Sequence, residues 1–289
     1  MRLFLVPIST RRTLLYCQKL QALPSEKQPW ADKITSRAAK LWAGWEQKEG
    51  GWQKSVVKYG NQALRRIPYE EWGLKSVPTL STRRREEDIM GKEKHHLIFP
   101  SSIIPASQAP QILHSLATER ESLHRSRMMW CFIGMPISAP FALVPVIPNL
   151  PFFYLAYRAW SHYRALAGGK HLKWLLSNKF FTLSPSEALD TVYSCHPFSN
   201  LPKQQSNHSA FVSPHQPEKS PLEQERLLLT PDSSSKIAQA LNIPALEVEL
   251  ERAIWQVEST IKKQTAASGQ PEQAPPSTSQ PEKSKTVRK

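Results

Sequence analysis

From Met128 to Tyr157 the chain runs for thirty residues without a charged side chain, and five of those residues are proline. The two properties pull against each other. A straight helix of that length would reach about 45 Å, against a bilayer hydrocarbon core of about 30 Å. Two complete spans would need roughly forty residues. Each proline (Pro136, Pro140, Pro145, Pro148, Pro151) removes a backbone N–H and bends or ends a helix. The stretch "VPVIPNLP" therefore cannot be helical throughout. The pattern predicts one segment over about 128–147, a break near Pro148–Asn149, and a second segment restarting at Pro151. That is a re-entrant hairpin or a kinked span, whose broken backbone must find partners in protein or water. The rival reading is a buried core element, which rarely needs so long an uncharged run.

The flanks favour the hairpin. Arg120, Arg125 and Arg127 precede the run, and Arg158, Arg164, Lys170 and Lys173 follow it. No Asp or Glu occurs between Ser122 and Ser186. A single span would put one basic cluster on the disfavoured face of a membrane. A hairpin keeps both on one side, where each charge gains roughly 1 kcal/mol from anionic headgroups. The expected lipid-contacting positions are Met128, Trp130, Gly134, Pro136, Ser138, Pro140, Ala142, Pro145, Pro148, Pro151, Phe152, Phe153, Tyr154 and Tyr157. The seven flanking cations are the expected headgroup ligands. Gly134, Ser138 and Ala142, four apart, form a small-residue row that would let helices approach closely.

Composition agrees with an anionic partner. The net charge is +14 and the pI about 9.8, with 40% hydrophobic residues and a mean hydropathy of −0.45. A polytopic transporter would be far more apolar, whereas excess positive charge calls for anionic lipid or nucleic acid. Cys17, Cys131 and Cys195 lie far apart, which suggests neither a disulfide framework nor a zinc site. The start, "MRLFLVPISTRRTLLYC", is free of acids and bears arginines, as import signals do. It reads equally as a short strand, "RLFLVPI", followed by a basic helix.

The expected fold class is mainly α: a membrane-associated helical protein with amphipathic helices flanking the apolar hairpin and a disordered linker and tail. Residues 1–80 form a basic, Trp-rich helical region. Within it, Ile34, Ala38, Leu41, Trp42 and Trp45, then Trp52, Val56, Tyr59 and Leu64, fall at helical spacing on either side of Gly50–Gly51. Residues 81–107 read as a charged, Pro-rich loop. The membrane module covers 108–195, with a helix over 108–127. A second, basic helix runs from Arg158 and is broken at Gly168–Gly169. Ser184 with Glu187 suggests a capping box. A linker follows at 196–233. Leu246, Leu250, Ile254, Val257 and Ile261 then mark a helix over 234–264 with Ser235 as its cap, and the tail is 265–289.

Enzyme signatures are lacking: there is no GxSxG, no phosphate-binding glycine loop and no HExxH. No cofactor or metal is expected, and His95, His96, His114, His124, His162 and His171 read as surface or interfacial positions. The stretches "DKITSRAAKLWAGWEQKEGGWQKSVVKYGNQALRRIPYEEWGLKSVP" and "PISAPFALVPVIPNLPFFYLAYRAWSHYRALAGGKHLKWLL" resemble the fungal mitochondrial potassium–proton exchange-related family. The resemblance covers most of 1–80 and 100–195. It implies the mitochondrial inner membrane, potassium–proton exchange, and an N-terminus that is retained rather than cleaved.

Such exchange needs a group that binds both ions inside the membrane, usually a carboxylate. The apolar run has none, and His162, a titratable neutral group, lies five residues beyond it. Backbone carbonyls freed by the prolines could hold potassium, but only in an assembly. The expected role is thus an accessory or regulatory subunit, or an oligomer. Its partners would be anionic phospholipid of the inner membrane, met with the basic flanks facing the matrix, and proteins of a cation-exchange complex or further copies. The alternative is a basic mitochondrial RNA-binding or ribosome-associated protein; nucleic acid has no part in the favoured reading.

Overall fold

The computed structural model describes residues 1–18, 37, 40–48, 50–91, 94–138, 140, 150–194 and 225–268. It opens with a β-hairpin. β1 (Arg2–Pro7) and β2 (Thr13–Gln18) pair antiparallel, with Leu5 opposite Leu15. β3 (His95–Phe99) lies parallel to β1, and β4 (Phe181–Pro185) parallel to β3, giving the order β2-β1-β3-β4. The helices are α1 (40–46), α2 (Trp52–Arg65), α3 (Tyr69–Ser76), α4 (Thr82–Ile89), α5 (Ala109–Thr118), α6 (Glu121–Ser138), α7 (Leu150–Ser177), α8 (Glu187–Ser194), α9 (Pro231–Ala240) and α10 (Pro244–Ser268).

The sheet has a core on each face, and β1 explains how. Side chains of a strand alternate between faces. Leu3 and Leu5 therefore enter a core with Leu74 and Val77, with Leu113 and Ala117 of α5, and with Leu172 and Leu175 of α7. Phe4 and Val6 enter the opposite core, with Leu189 of α8, Ile237 of α9, and Leu246, Leu250, Ile254 and Val257 of α10. Each fully buried aliphatic side chain contributes about 1.5–3 kcal/mol. A strand covered on both faces needs an unbroken apolar run, and "LFLV" supplies it. α10 is fastened across the molecule by Gln256, which accepts from Tyr69 N at 3.0 Å and donates to the Ile67 carbonyl at 2.9 Å.

These findings overturn the fold class expected from sequence, a helical protein built around a membrane hairpin or kinked span; helices predominate, but they pack on a sheet. The protein has a four-stranded mixed sheet with helices on both faces. No helix among the described residues is long and apolar enough to cross a membrane. The uncharged run is divided. Its α6 share, from Met128, is about 16 Å long and its α7 share about 12 Å at 1.5 Å per residue. The remainder of each helix carries arginine or lysine.

Smaller differences have local causes. The loop expected over 81–107 contains α4, whose first turn is capped by the Ser81 side chain accepting from Arg84 N. The helix expected over 108–127 is two, parting between Thr118 and Glu121. Gly168 and Gly169 do not break α7. A Cβ at Gly168 would collide with the Leu74 carbonyl, and one at Gly169 would sit 2.9 Å from the Ala117 carbonyl, so the glycines let α3 and α5 close onto α7. Ser184 belongs to β4, and the side chain that accepts from Leu189 N is Ser186. The last helix is α9 and α10, parted at Asn242, which adopts a left-handed φ of 55°; Thr230, not Ser235, sits in the capping box. Of the expected linker and tail, 196–224 and 269–289 lie outside the described residues.

Candidate functional site

α3 is the short helix that builds the site. Gly73 brings it against β2, since a Cβ there would lie 2.5 Å from the Leu15 carbonyl. Gly168 brings α7 against its other side. This close approach lets the short side chain of Glu71 reach α7, where Arg158, Ser161 and His162 share one face at helical spacing.

Glu71, Arg158, His162 and His124 are all buried. Arg158 grips the Glu71 carboxylate with Nη1 at 2.8 Å and Nη2 at 3.1 Å, and the Ser161 hydroxyl donates to the same carboxylate. This fork-to-carboxylate geometry is the strong form of an ion pair. Arg158 Nη2 also donates to His162 Nε2 at 3.1 Å. That nitrogen must be an acceptor, so the neutral ring carries its proton on Nδ1. His162 Nδ1 lies 3.0 Å from His124 Nδ1 and 3.7 Å from Glu71 Oε2. His124 therefore accepts at Nδ1 and holds its own proton on Nε2, which is buried without a partner among the described residues.

The electrostatics agree with these tautomers. Burial drives His162 down to about 4 against the pull of Glu71, and burial also lowers His124. Burial pushes Glu71 upward, but the Ser161 hydroxyl and Arg158 together hold it below the usual carboxylate range. The chain of groups is thus a neutral imidazole pair ending on a charge-compensated carboxylate.

Glu71, His124 and His162 also meet the spatial requirement for a metal, with ligand atoms within 4.8 Å of one another. Their hydrogen bonding argues otherwise. A metal on His162 Nδ1 would force its proton to Nε2, against the Arg158 N–H already there. Two imidazoles and a guanidinium are also poor company for potassium, which is coordinated by oxygen.

A second buried group lies toward the sheet. His95 Nε2 is 2.9 Å from Asp88 Oδ1. His171 donates from Nδ1 to the Pro78 carbonyl at 2.8 Å, and its Nε2 faces Asp88 Oδ2 at 3.7 Å. Burial lowers His171. Neither His171 Nε2 nor Asp88 Oδ2 has a hydrogen-bond partner among the described residues.

Four of the histidines expected at the surface are therefore interior: His95, His124, His162 and His171. His114 is exposed. A buried carboxylate reaches this cluster from α3, as Glu71. The only local hint of this is Arg158 and His162 four residues apart.

The residues singled out in the sequence divide in two. Trp130, Pro136, Pro140, Pro151, Phe153 and Tyr154 are exposed; Met128, Phe152 and Tyr157 are half-buried. Ser138 is buried and donates to the Met135 carbonyl. Gly134 packs on Leu155, the α6–α7 contact that its small size allows. Ala142, Pro145 and Pro148 lie outside the described residues. Among the cations, Arg158 points inward. Arg120 pairs with Glu70 at 2.8 Å, Arg125 with Glu121 at 3.3 Å and Lys173 with Glu121 at 2.7 Å. Arg164 lies over the Trp160 ring, while Arg127 and Lys170 are exposed.

The profile of the family described as mitochondrial K+-H+ exchange-related matches residues 2–176, from β1 almost to the end of α7. The chain belongs to that family. All of Glu71, His124, Arg158 and His162 lie within the matched span. An uncharacterized protein of Schizosaccharomyces pombe is 30% identical over 192 residues, covering 66% of this chain and 81% of that relative. An uncharacterized protein of Saccharomyces cerevisiae is 25% identical over 211 residues, covering 64% of this chain and 65% of its own length. No solved structure matches the chain. Membership of the exchange-related family also supports a mitochondrial association.

Proposed function

We propose that the chain is an accessory, non-enzymatic component of potassium–proton exchange at the mitochondrial inner membrane. In this reading it docks from the matrix side on anionic phospholipid, and potassium moves through an assembly rather than through this chain alone.

One observation carries the reading. The α6–α7 pair presents Trp130, Phe132, Ile133, Ile137, Phe153 and Tyr154 to solvent, each at least half exposed. Large apolar side chains exposed together on two packed helices favour an interaction site. The neighbouring Arg125 and Arg127 are exposed, and no acidic residue lies between Ser122 and Ser186. An apolar face rimmed by cations complements an anionic lipid surface, where Trp and Tyr rings favour the headgroup level. The contact is lateral, made by side chains on two helices.

The test is osmotic swelling of mitochondria in potassium acetate, with and without the protein. Deletion is expected to slow swelling, and re-expression to restore it. Unchanged swelling on deletion rejects the exchange role. Potassium flux by the purified protein in liposomes rejects the accessory role.

A further inference from the structure

Away from the α6–α7 tip, β2, α3, α7 and α10 line a cleft of about 240 Å³. Lys75 stands in its wall and is only 9% exposed. Its Nζ lies 3.7 Å above the Trp72 ring and 5.3 and 5.5 Å from the rings of Tyr157 and Trp160. It donates to the Tyr157 hydroxyl at 3.3 Å. No carboxylate pairs with it among the described residues: Glu71 is held by Arg158 at 2.8 Å and Glu249 by Arg252 at 2.7 Å. Buried charges are ordinarily paired, because an uncompensated one is costly.

Aromatic faces and a phenol hold an ammonium less firmly than a carboxylate does, and burial works against its charge. This amine is therefore easier to deprotonate than an exposed one. Lysines desolvated in apolar pockets act as nucleophiles for that reason. The rest of the wall selects what can reach it. Leu14, Leu15 and Trp160 offer apolar surface, and the Glu249 carboxylate in the lining disfavours an anionic reagent. The volume is below that of drug-sized sites, about 300–1,000 Å³. The reacting end of the reagent is thus short and uncharged.

We propose that Lys75 is a covalent acylation site, at which Nζ takes a short acyl group from an acyl thioester. The neutral amine attacks the thioester carbonyl carbon. A C–N bond forms, the C–S bond breaks, and the proton lost by nitrogen passes to the departing sulfur, which leaves as a thiol. Nothing is oxidised or reduced. The buried ammonium becomes a neutral amide, whose burial costs less than that of a charge. The site stands apart from the exchange reading, because its test involves no ion movement.

The experiment incubates the full chain with S-acetyl-N-acetylcysteamine, a small uncharged thioester, and follows acetylation of each lysine by peptide mass spectrometry. At pH 7.5 Lys75 is expected to react about tenfold faster than the exposed Lys170 and Lys236. Its rate should rise about tenfold between pH 7 and 9.5 and then level off, because burial lowers Lys75 to about 8 and the free amine is the nucleophile. Facing it are Glu71 of its own helix, Tyr16 of β2, Tyr157, Arg158 and Arg164 of α7, and Glu249 and Arg252 of α10. Guanidinium groups do not titrate over that range, and burial raises both tyrosines, Tyr157 to about 12. In guanidinium chloride the advantage of Lys75 should disappear, since it depends on the folded cleft. Reaction at Lys75 no faster than at Lys170 and Lys236 overturns the proposal, as does an advantage that survives unfolding.

Discussion

Glu71 and Arg158 are 87 positions apart, and nothing in either neighbourhood announces the other. Their pairing is nonetheless costly to disturb. Removing one partner of a buried ion pair strands the other charge, at about 3–5 kcal/mol. Glu71→Ala is expected to lower Tm by about 10 °C in thermal unfolding, taking about 2–4 °C per kcal/mol for a domain of this size. The double change Glu71→Leu, Arg158→Met should recover much of that loss, because no charge is then left unpaired. A double variant as unstable as the single one would show that packing, not charge, sets the cost. The imidazoles make a second prediction. His162, His124 and His171 have folded pKa values below their ordinary 6.5, so the unfolded chain binds more protons at acidic pH. Their stabilisation is complete above 6.5 and is lost as pH falls toward 4, the value of His162. Glu71, lowered from 4.5, adds its own loss below that value. Tm should hold between pH 7.5 and 6.5 and fall from there to pH 4.5, and His162→Gln should flatten the fall. An unchanged slope in that variant would remove His162 from the titrating set.

Among elements, legibility follows the number of buried faces. The sequence spacing locates α1 and α2 as helices on either side of Gly50–Gly51, where Gly51 takes φ of 91°, although Leu41 and Tyr59 of the expected stripes are exposed. β1 is buried on both faces, so its run lacks the alternation that identifies a strand and reads equally as the start of an import signal. Glycine carries the same ambiguity. The pair at 168–169 resembles a helix break, yet its physical role is closeness to carbonyls of two other helices, which no local pattern encodes. Two alanine substitutions separate these meanings. Gly44 lies in α1, and a methyl group placed there would meet nothing within 4 Å, so Gly44→Ala should gain roughly 0.5–1 kcal/mol from helix propensity. Gly168→Ala carries the same propensity gain but drives a methyl into the Leu74 carbonyl, and overpacking of this kind costs about 1–3 kcal/mol. Denaturant midpoints should therefore move in opposite directions. A stabilised Gly168→Ala would mean that α3 and α7 are free to separate.

For the molecule as a whole, the uncharged run is the exception its sequence suggests, but no described helix that contains part of it is long and apolar enough to cross a membrane. Its described residues lie mostly at the ends of α6 and α7, two packed helices whose other ends are bound into the core through Arg158, Lys173 and Leu172; residues 139 and 141–149 lie outside the described residues. Hydropathy along the chain cannot distinguish a surface that leaves water by inserting from one that rests on a partner, because both require the same residues. The anionic-lipid and RNA readings do differ in what they ask of that surface. Lipid docking uses apolar side chains and cations together; nucleic-acid binding by a basic chain rests on cations and weakens steeply with salt. Flotation with vesicles of phosphatidylcholine and cardiolipin tests the difference. Ile137→Glu, at a position 70% exposed, removes apolar contact without touching the core. It is expected to reduce flotation several-fold with Tm within about 1–2 °C of the parent, since exposed substitutions change stability by about 0.5 kcal/mol or less. Arg127→Gln should give a smaller reduction, visible at about 50 mM salt and screened away near roughly 500 mM. The apolar part of the attachment persists at that salt, so partial retention of the parent protein is the mark of a lipid surface. Complete release at high salt, with Ile137→Glu indistinguishable from the parent, would instead place the cationic face against a phosphate backbone and leave the apolar tip without a role in binding.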